Sequence, residues 1–302
     1  MKSEDDPGLG QSRSQWFAEP PLRGFQQRVE ITESLYRGRS HFQQIEVLES
    51  VPFGRLLALD GAVQTTEKDE FTYHEMLVHA VLLAHPQPRR VLLIGGGDGG
   101  ALRRILEHGV ERATMVELDA DVVEVSTRYL PRIAGSAFDD PRARLVIADG
   151  VKYLRELGEQ VDAVLVDSTD PVGAAEALFS EAFYRSVYRV LADDGIFVTQ
   201  SGSPLLMGAE LTRAYQTLKQ VFPLVRVYLA AVPSYPGTLW SFICASKGRD
   251  PMAVDVATLR QCLAERNIST RYYTPEGHRG LFALPPFVAE ALDAEQPVEL
   301  ES

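Results

Sequence analysis

A glycine-rich segment of this sequence has the residue types needed to bring the backbone close to a ligand. The hexapeptide GGGDGG follows the apolar stretch 91–94 and satisfies GxGxxG at Gly95, Gly97 and Gly100. Glycines allow a tight turn and a close approach to a ligand at the start of the next helix. Glu117 lies 20 residues after Gly97, the spacing at which an acid binds ribose hydroxyls. The pattern predicts a nucleoside site, and a glycine-rich turn without a ligand is the less favoured alternative.

Asp98 within this loop narrows the choice of nucleoside. A carboxylate here would lie where a dinucleotide places its pyrophosphate, and like charges repel in a desolvated loop, so NAD and FAD are poor candidates. A sulfonium nucleoside fits better, because Asp98 can pair with the amine of its side chain and repels an additional carboxylate. This indicates S-adenosylmethionine without its carboxyl group. A helix N-cap is the alternative role for Asp98, and it is compatible with a ligand contact.

Further acidic residues follow two later predicted strands. Asp149 and Gly150 come after the stretch that ends at residue 147, and ligands of parallel sheets bind at the carboxyl ends of strands. We therefore expect Asp149 to accept a hydrogen bond from an adenine amino group. Asp167 and Asp170 lie in the segment DSTDP after the next strand. Paired carboxylates at a strand end indicate a catalytic site, with a solvated Asp-Pro turn as the alternative.

Other catalytic motifs find no support in the sequence. His74 and His79 lie five residues apart, one more than HExxH requires, so their imidazoles do not share a helix face. The sequence contains neither GxxxxGK[ST] nor GxSxG, the motifs of P-loop phosphoryl transfer and of α/β-hydrolases. We therefore predict no metal site and no chemistry of these two classes.

The order of predicted elements indicates how the candidate residues are brought together. Short β-rich stretches at 27–35, 42–49 and 55–59 are separated by turn residues, which predicts a small antiparallel sheet. Helical spacing follows at 70–84, and beyond it strands alternate with helices, as in a parallel sheet with helices on both faces. The later strands are predicted at 90–94, 113–117, 143–147, 163–166, 195–199, 225–230 and 239–245, and the helices at 101–107, 120–129, 151–157, 181–190 and 210–221.

This order predicts three parts of the chain. They are a flexible tail at 1–15, an N-terminal β-domain at 16–69 and a Rossmann-like catalytic domain at 70–302. The tail is polar and acidic, so it lacks the basic start and the apolar core of a signal peptide.

Composition and charge limit the class of protein. Of the 302 residues, 45% are apolar and 24% are charged, which is typical of soluble globular proteins and not of disordered, collagen-like or coiled-coil chains. The net charge of −12 disfavours nucleic acid and anionic membranes as partners and favours cations. Cys244 and Cys262 show no CxxC spacing, and no apolar run reaches the roughly 18 residues of a membrane helix. We therefore expect a cytoplasmic protein.

The candidate motifs resemble those of a known family, the polyamine aminopropyltransferases, whose common member is spermidine synthase. The resemblance extends from about residue 25 to 292. It rests on LDGAVQ at 59–64, DEFTYHEM at 69–76, GGGDGG at 95–100, DSTDP at 167–171, LF at 178–179, FY at 183–184 and PSYPG at 233–237. So many motifs in one order are specific to the family.

This resemblance implies a fold, a reaction and an assembly state. The fold is α/β: a methyltransferase-like Rossmann domain, with a mostly parallel sheet and helices on both faces, preceded by a small antiparallel β-domain. The reaction is transfer of an aminopropyl group from decarboxylated S-adenosylmethionine, a co-substrate, to a diamine, with release of 5′-methylthioadenosine. No tightly bound cofactor is expected, and the chain is expected to form a homodimer or homotetramer.

The resemblance also implies roles for individual residues. The residues expected to hold the nucleoside donor are Gln43, His74, Gly95, Gly97, Asp98, Glu117, Asp149 and Gly150. Those expected to line the cleft and the amine site are Gln64, Tyr73, Asp170, Gln200 and Tyr235, and we add Trp240 because it is aromatic. The three aromatic side chains among them can contact a methylene chain and its ammonium ends, with ordinary core packing as the alternative. Asp167 would be the base, because burial and the nearby Asp170 carboxylate would raise its pKa.

Two segments depart from the family pattern, and both concern the acceptor amine. Ser201 and Gly202 follow Gln200 where several members carry a Glu, and Pro171 is followed by VGAA without a second proline after the glycine. Putrescine is expected as the family's commonest acceptor, with cadaverine, agmatine and spermidine as alternatives.

Two other functions stay open from the sequence. One is an amine N-methyltransferase that uses S-adenosylmethionine on the same fold. The other is a nucleoside-binding protein without catalysis, which the presence of both Asp167 and Asp170 disfavours.

Overall fold

The N-terminal part of the chain is a five-stranded antiparallel sheet. The computed structural model describes residues 15–169 and 173–294. The strands of this first sheet are hydrogen-bonded in sequence order, and Asp60 and Gly61 join the last two with positive φ angles of 47° and 84°, as a two-residue hairpin turn requires. The strands are β1 (Gln15–Ala18), β2 (Arg28–Arg39), β3 (Gln44–Ser50), β4 (Gly54–Leu59) and β5 (Ala62–Thr66).

The larger part is built on a seven-stranded, mostly parallel sheet. Its strands are β6 (Arg90–Gly95), β7 (Arg112–Glu117), β8 (Ala143–Ile147), β9 (Val161–Asp167), β10 (Leu191–Gln200), β11 (Leu224–Ala231) and β12 (Leu239–Ser246). Their order across the sheet is β11-β12-β10-β9-β6-β7-β8. Strands β6 to β10 pair in parallel, whereas β12 runs antiparallel to both of its neighbours.

Helices connect and cover these strands. They are α1 (Glu70–Leu82), α2 (Gly100–Leu106), α3 (Ala120–Tyr129), α4 (Pro131–Ala134), α5 (Gly150–Glu156), α6 (Glu181–Val190), α7 (Gly208–Lys219), α8 (Val256–Glu265), α9 (His278–Leu281) and α10 (Pro286–Asp293), with short 3-10 helices at Ala137–Asp139, Gly173–Phe179 and Pro251–Ala253. Within the described ranges, none of these helices has both the length and the apolar character needed to cross a lipid bilayer.

Alternating side chains of the central strands are buried on both faces of the large sheet. In β6, Val91 and Leu93 belong to the cluster that includes α1 and α2, whereas Leu92 and Ile94 belong to the cluster that includes α5, α6 and α7. A strand that is covered on both faces is apolar throughout, which explains the uninterrupted run before the glycine-rich loop.

The two sheets are joined through α3 and α4. Ile45 and Leu57 of the first sheet share a buried cluster with Val122 of α3 and Ile133 of α4. Because α3 follows β7, this packing brings the β2–β3 turn of the first sheet next to the carboxyl end of β7.

The predicted fold class is confirmed, since a small antiparallel β-domain precedes a mostly parallel sheet with helices on both faces. The domain limits stay a prediction; the first sheet ends at Thr66 and α1 begins at Glu70. The flexible tail was expected at 1–15. Residues 1–14 lie outside the described residues, and Gln15 begins β1. Helices α8 to α10 were not predicted. Helix α8 buries only Leu259, which leaves little apolar periodicity, and α9 has only four residues.

Helix α1 is bound to the C-terminal part of the chain by one carboxylate. Glu75 is fully buried and accepts hydrogen bonds of 2.8 to 3.1 Å from the backbone N–H groups of Arg271, Tyr272 and Tyr273. Because α1 also carries residues predicted for the site, this contact helps to fix their position.

We expect Glu75→Gln to lower the free energy of unfolding by about 2 to 4 kcal/mol, because the amide NH₂ would face backbone donors in a buried position. Urea denaturation followed by circular dichroism measures the change. Glu124→Gln on the exposed side of α3 is the matched control, with an expected change within about 0.5 kcal/mol. Equal stability of the two variants would contradict the anchoring role of Glu75.

Candidate active site

The glycine-rich loop and Asp167 meet at the carboxyl ends of β6 and β9. The two strands pair up to Gly95 and Asp167, and the N–H of Gly96 donates to the carbonyl oxygen of Asp167 at 2.8 Å. Gly95 has a φ of 80°, and a Cβ at this position would overlap the same carbonyl. Glycine is therefore required for the loop to approach the end of β9.

Asp98 lies just before α2, with one oxygen bound and one directed into the site. Its Oδ1 accepts a hydrogen bond of 2.8 Å from the N–H of Gly100, and its Oδ2 lies 3.5 Å from Nε2 of His74. The N-cap position itself is Gly99, so Asp98 binds the first turn from one residue earlier. A Cβ at Gly100 would overlap the ring of His74, so the imidazole is packed against the start of α2.

Glu117, the predicted ribose-binding acid, lies beside the loop. A Cβ at Gly97 would come within 3.1 Å of its Oε2, and its Oε1 accepts from the N–H of Asp119 at 3.0 Å. Burial raises the pKa of Glu117 to about 7. Gln43 reaches the same place from the first sheet, since its Nε2 donates to Oδ2 of Asp119 at 2.9 Å. The structure thus brings the predicted donor residues at 43, 97 and 117 together.

Asp149 and Gly150 continue this row of residues after β8. Oδ1 of Asp149 accepts hydrogen bonds from the N–H groups of Val151 and Lys152 at 2.9 and 3.2 Å, so the carboxylate caps α5. A Cβ at Gly150 would overlap the side chain of Ile94. The carboxyl ends of β6, β7 and β8 therefore present the loop, Glu117 and Asp149 along one edge of the sheet.

Three carboxylates surround the imidazole of His74. Its Nδ1 lies 2.8 Å from Oε2 of Glu70, while its Nε2 lies 3.5 Å from Oδ2 of Asp98 and 4.0 Å from Oδ2 of Asp167. Burial lowers the pKa of His74, but Asp98 and Glu70 outweigh this effect and raise the pKa to about 10. The ring is therefore a cation at neutral pH, with a proton on each nitrogen.

The side chain of Asp167 is 12% exposed, and among the described residues only one of its two carboxylate oxygens accepts a hydrogen bond. Its Oδ1 accepts a hydrogen bond of 2.8 Å from the hydroxyl of Tyr73. Burial, together with the charge of Asp98, raises the pKa of Asp167 to about 6, although His74 and Tyr73 oppose the change. A base with a pKa near the working pH suits proton transfer.

The predicted amine side of the site is lined by aromatic residues. The ring of Tyr235 lies 5.5 Å from that of Tyr73 and 4.7 Å from that of Trp240. The hydroxyl of Tyr235 donates to the carbonyl oxygen of Gln64. Trp240 is only 4% exposed, and its Nε1 donates to Oε1 of Gln200 at 3.2 Å. Trp240 thus lies behind Tyr235, with its polar group bound within the protein.

Asp170, predicted as the second acid of a catalytic pair, lies outside the described residues. The carboxylate that the structure places near Asp167 is Asp98, which acts on the pKa of Asp167 in the direction that was expected of Asp170. Ligand atoms of His74, Asp98 and Asp167 lie within 4.8 Å of one another, a spacing that a metal ion could bridge. A doubly protonated imidazole, however, has no lone pair for a metal.

Two acidic residues of this site, Glu70 and Asp119, were not predicted. Glu70 precedes His74 by four residues and also binds Nη2 of Arg103 at 3.0 Å; a Glu and a His at this spacing share one helix face, which was a usable signal. Asp119 accepts from Gln43 and caps α3. An Asp directly before a predicted helix is the usual sign of such a cap.

We expect Glu70→Gln to lower the pKa of His74 from about 10, because it removes one of the carboxylates that stabilise the imidazolium. The protonated ring is present below its pKa, so the variant should lose this proton at a lower pH than the parent. Nitrogen NMR of the imidazole, assigned with a His74→Gln variant, measures the titration.

Glu181→Gln on α6, whose carboxylate pairs with Arg185 on the surface, is the matched control and should leave the titration of His74 unchanged. An identical pKa of His74 in the Glu70→Gln variant and the parent would contradict the role of Glu70.

Two family models match the chain. The spermidine synthase tetramerisation domain matches residues 15–67, and the spermine/spermidine synthase domain matches residues 70–255. Among curated relatives named polyamine aminopropyltransferase, a protein of Desulforudis audaxviator is 48% identical over 91% of this chain and 98% of its own length. Another, from Caldicellulosiruptor bescii, is 45% identical over 92% and 98%.

Solved structures of similar proteins agree with these matches. A spermidine synthase in complex with the transition state analogue AdoDATO aligns with a TM-score of 0.88 and 39% identity, over 97% of this chain and 98% of that one. The spermidine synthase of Thermotoga maritima aligns with a TM-score of 0.84 and 37% identity, over 97% of both chains. This chain therefore belongs to the spermine/spermidine synthase family of polyamine aminopropyltransferases.

Proposed function

We propose that this enzyme transfers an aminopropyl group from decarboxylated S-adenosylmethionine to a diamine and releases 5′-methylthioadenosine. The observation that carries the proposal is the pair of acids Asp98, which is buried, and Asp167, whose side chain is 12% exposed; one oxygen of each lies within 4.0 Å of the same nitrogen of His74. An acidic cleft attracts and orients cationic substrates. The similar spermidine synthase that binds the transition state analogue AdoDATO supports the same reaction.

The donor site is proposed along the carboxyl ends of β6, β7 and β8. Glu117 would accept hydrogen bonds from the ribose hydroxyls, and Asp149 from the adenine amino group. Asp98 would pair with the ammonium of the aminopropyl chain. Because a donor carboxylate would lie close to the carboxylate of Asp98, repulsion disfavours intact S-adenosylmethionine.

Asp167 is proposed as the base. An aliphatic ammonium resembles that of lysine, with a pKa near 10.4, so its deprotonation at pH 7 costs roughly 4 to 5 kcal/mol. Transfer of this proton to Asp167 frees the nitrogen lone pair, which attacks the methylene carbon next to the sulfonium. A C–N bond forms as the C–S bond breaks, and the sulfur takes up the electron pair in neutral methylthioadenosine. Tyr73, bound to Asp167, would hold the base in position.

Putrescine is proposed as the acceptor, with spermidine as the product. Tyr73 and Tyr235, whose ring centroids are 5.5 Å apart, would contact the methylene chain, and cation–π contacts would stabilise its ammonium ends. Cadaverine, agmatine and spermidine are the other candidate acceptors, because they differ from putrescine in length or at one end.

A mass-spectrometric assay tests the reaction directly. Purified enzyme is incubated with decarboxylated or intact S-adenosylmethionine and with each of the four amines. We expect methylthioadenosine only with the decarboxylated donor, and the highest turnover with putrescine. Methylated amine and S-adenosylhomocysteine from the intact donor would instead show a methyltransferase and would contradict the proposed role of Asp98.

We expect Asp167→Asn to lower kcat by at least about 100-fold, because the amide cannot accept the proton of the amine. Asp193→Asn, at an exposed position before the buried part of β10, is the matched control and should keep full activity. The same product assay measures both variants. If the Asp167→Asn variant kept full turnover, the proposed role of Asp167 as the base would be excluded.

We also propose that the chain assembles into a homodimer or homotetramer through its first sheet. Trp16 and Val51 are 57% and 58% exposed and line one groove with Phe53 and Pro233, and large apolar side chains exposed together mark an interaction site. The family model that matches this part of the chain describes a tetramerisation domain.

We expect the double variant Trp16→Glu, Val51→Glu to lower the native mass of the assembly, because it places charges in the apolar contact. Native mass spectrometry measures the change, with Phe287→Glu as the control at an exposed apolar residue of α10. A monomeric parent, or an unchanged mass of the double variant, would contradict assembly through this groove. The predicted cytoplasmic location and the expected lack of a tightly bound cofactor stay predictions.

A further inference from the structure

Gln200 is the last residue of β10 and is almost fully buried, with 2% exposure. Its Oε1 accepts hydrogen bonds from the N–H of Gly202 at 2.9 Å and from Nε1 of Trp240 at 3.2 Å. Both partners can only donate, so the oxygen of the amide must face them. These two contacts fix the orientation of the Gln200 side chain.

The nitrogen of the same amide binds the chain next to the proposed base. Nε2 of Gln200 donates to the carbonyl oxygen of Ser168 at 3.1 Å. Only one N–H of the amide is left, and an N–H cannot accept a hydrogen bond from an ammonium group. It could donate only to the lone pair of a neutral amine, which is the pair that must attack. The role of amine ligand expected for Gln200 is therefore poorly matched to its contacts.

The hydrogen bond from Gln200 affects the site through Ser168, the residue that follows Asp167. The carbonyl of Asp167 is bound by the N–H of Gly96, and the carbonyl of Ser168 is bound by Gln200. In the parallel pairing of β9 and β10, Thr199 lies opposite Val166, so the side chain of the next residue can reach the end of β9. The peptide between residues 167 and 168 is thus bound from the side of β6, and the peptide between residues 168 and 169 is bound from the side of β10.

Trp240 completes this support from β12. Its indole N–H is bound to Gln200, and its ring packs edge-on against Tyr235 at 4.7 Å. With 4% exposure, the ring is part of the buried wall behind the site. Trp240 therefore holds Gln200 while it packs against Tyr235.

We propose that Gln200 is a positioning residue, held by Trp240, that fixes the peptide between Ser168 and Thr169 and so limits movement of the base at the neighbouring residue 167. This role rests on the proposed function of Asp167. It assigns neither Gln200 nor Trp240 to the acceptor amine.

Gln200→Glu separates positioning from direct amine binding. One carboxylate oxygen keeps the hydrogen bonds from Gly202 and Trp240. The other oxygen replaces the Nε2 donor that binds the carbonyl of Ser168. The assay is run at pH 9 so that the new carboxyl group is ionised and cannot donate a proton to that carbonyl. We expect kcat to fall about 10- to 100-fold, as misplacement of a catalytic group by about 1 Å does, with no fall in the KM for the amine. If Gln200 bound the amine, the new negative charge would strengthen binding, and a lower KM with kcat retained would overturn the proposal.

Hydrogen–deuterium exchange gives a second measurement that needs no turnover. Without substrate, we expect the amides of residues 168–169 to exchange faster in Gln200→Glu than in the parent. This result stands even if the parent transfers no aminopropyl group, so failure of the proposed reaction is distinguished from failure of the positioning role. Unchanged exchange at 168–169 would overturn the proposal whatever the turnover.

Two further variants control the comparison. Gln216→Glu removes a donor to the carbonyl of Leu292, the same chemical change at a distant helix, and should leave kcat, KM and exchange at 168–169 unchanged. Trp240→Phe keeps an aromatic ring but removes the indole donor. It should give a smaller loss of kcat than Gln200→Glu with an unchanged KM for the amine, and a raised KM with kcat retained would assign the ring to the amine site instead.

Discussion

The site depends on the electrostatic attraction between the imidazolium of His74 and three carboxylates that are buried or nearly so. His74 lies 2.8 Å from Glu70, 3.5 Å from Asp98 and 4.0 Å from Asp167. Without this cation, acids so close together in a buried place would repel one another and take up protons. The ring keeps its position because it packs on Gly100, where any side chain would overlap it. The charge balance of the site therefore requires that α1 and α2 meet at a glycine.

Helix α1, which contains His74, connects the site to several distant parts of the molecule. Just before it, Asp69 accepts from the N–H of Ser234 at 2.8 Å, which ties the β11–β12 connection to the helix. One turn later Tyr73 binds Asp167, and on the same helix Glu75 binds the backbone at 271–273. Asp69 and the first two turns of α1 thus bind three distant segments, so the polar residues here stabilise the fold as well as the proposed site.

Much of the fold and of the placement of the proposed donor residues could be predicted, because their signals are local. The loop from Gly95, the acid at 117 and the aspartates after β8 and β9 follow from strand, turn and helix in immediate succession. Helix α8 could not be predicted as reliably, since it buries only Leu259 and a helix that buries little apolar surface shows little periodicity. Glu70 could have been predicted as a partner of His74, because it lies four residues earlier on the same helix.

The amine side was less predictable because its contacts join residues far apart in sequence. Gln200 binds Ser168 across 32 positions and Trp240 across 40, and no spacing rule relates residues on β9, β10 and β12. A sequence shows that an amide is present but not which of its atoms are already bound. The role of Gln200 therefore follows only from the direction of its hydrogen bonds.

The hydrogen bonds of Asp98 and Asp167 are compatible with the proposed binding of a cationic ligand beside the imidazolium of His74. Asp98 accepts a hydrogen bond from Gly100 and Asp167 accepts one from Tyr73, and the second oxygen of each acid has no hydrogen bond among the described residues. His74 faces both free oxygens from 3.5 and 4.0 Å, beyond the ordinary hydrogen-bond range of about 2.7 to 3.2 Å. It stabilises their charge without filling their lone pairs. The proposed binding of an ammonium group to these oxygens therefore keeps the hydrogen bonds from Gly100 and Tyr73.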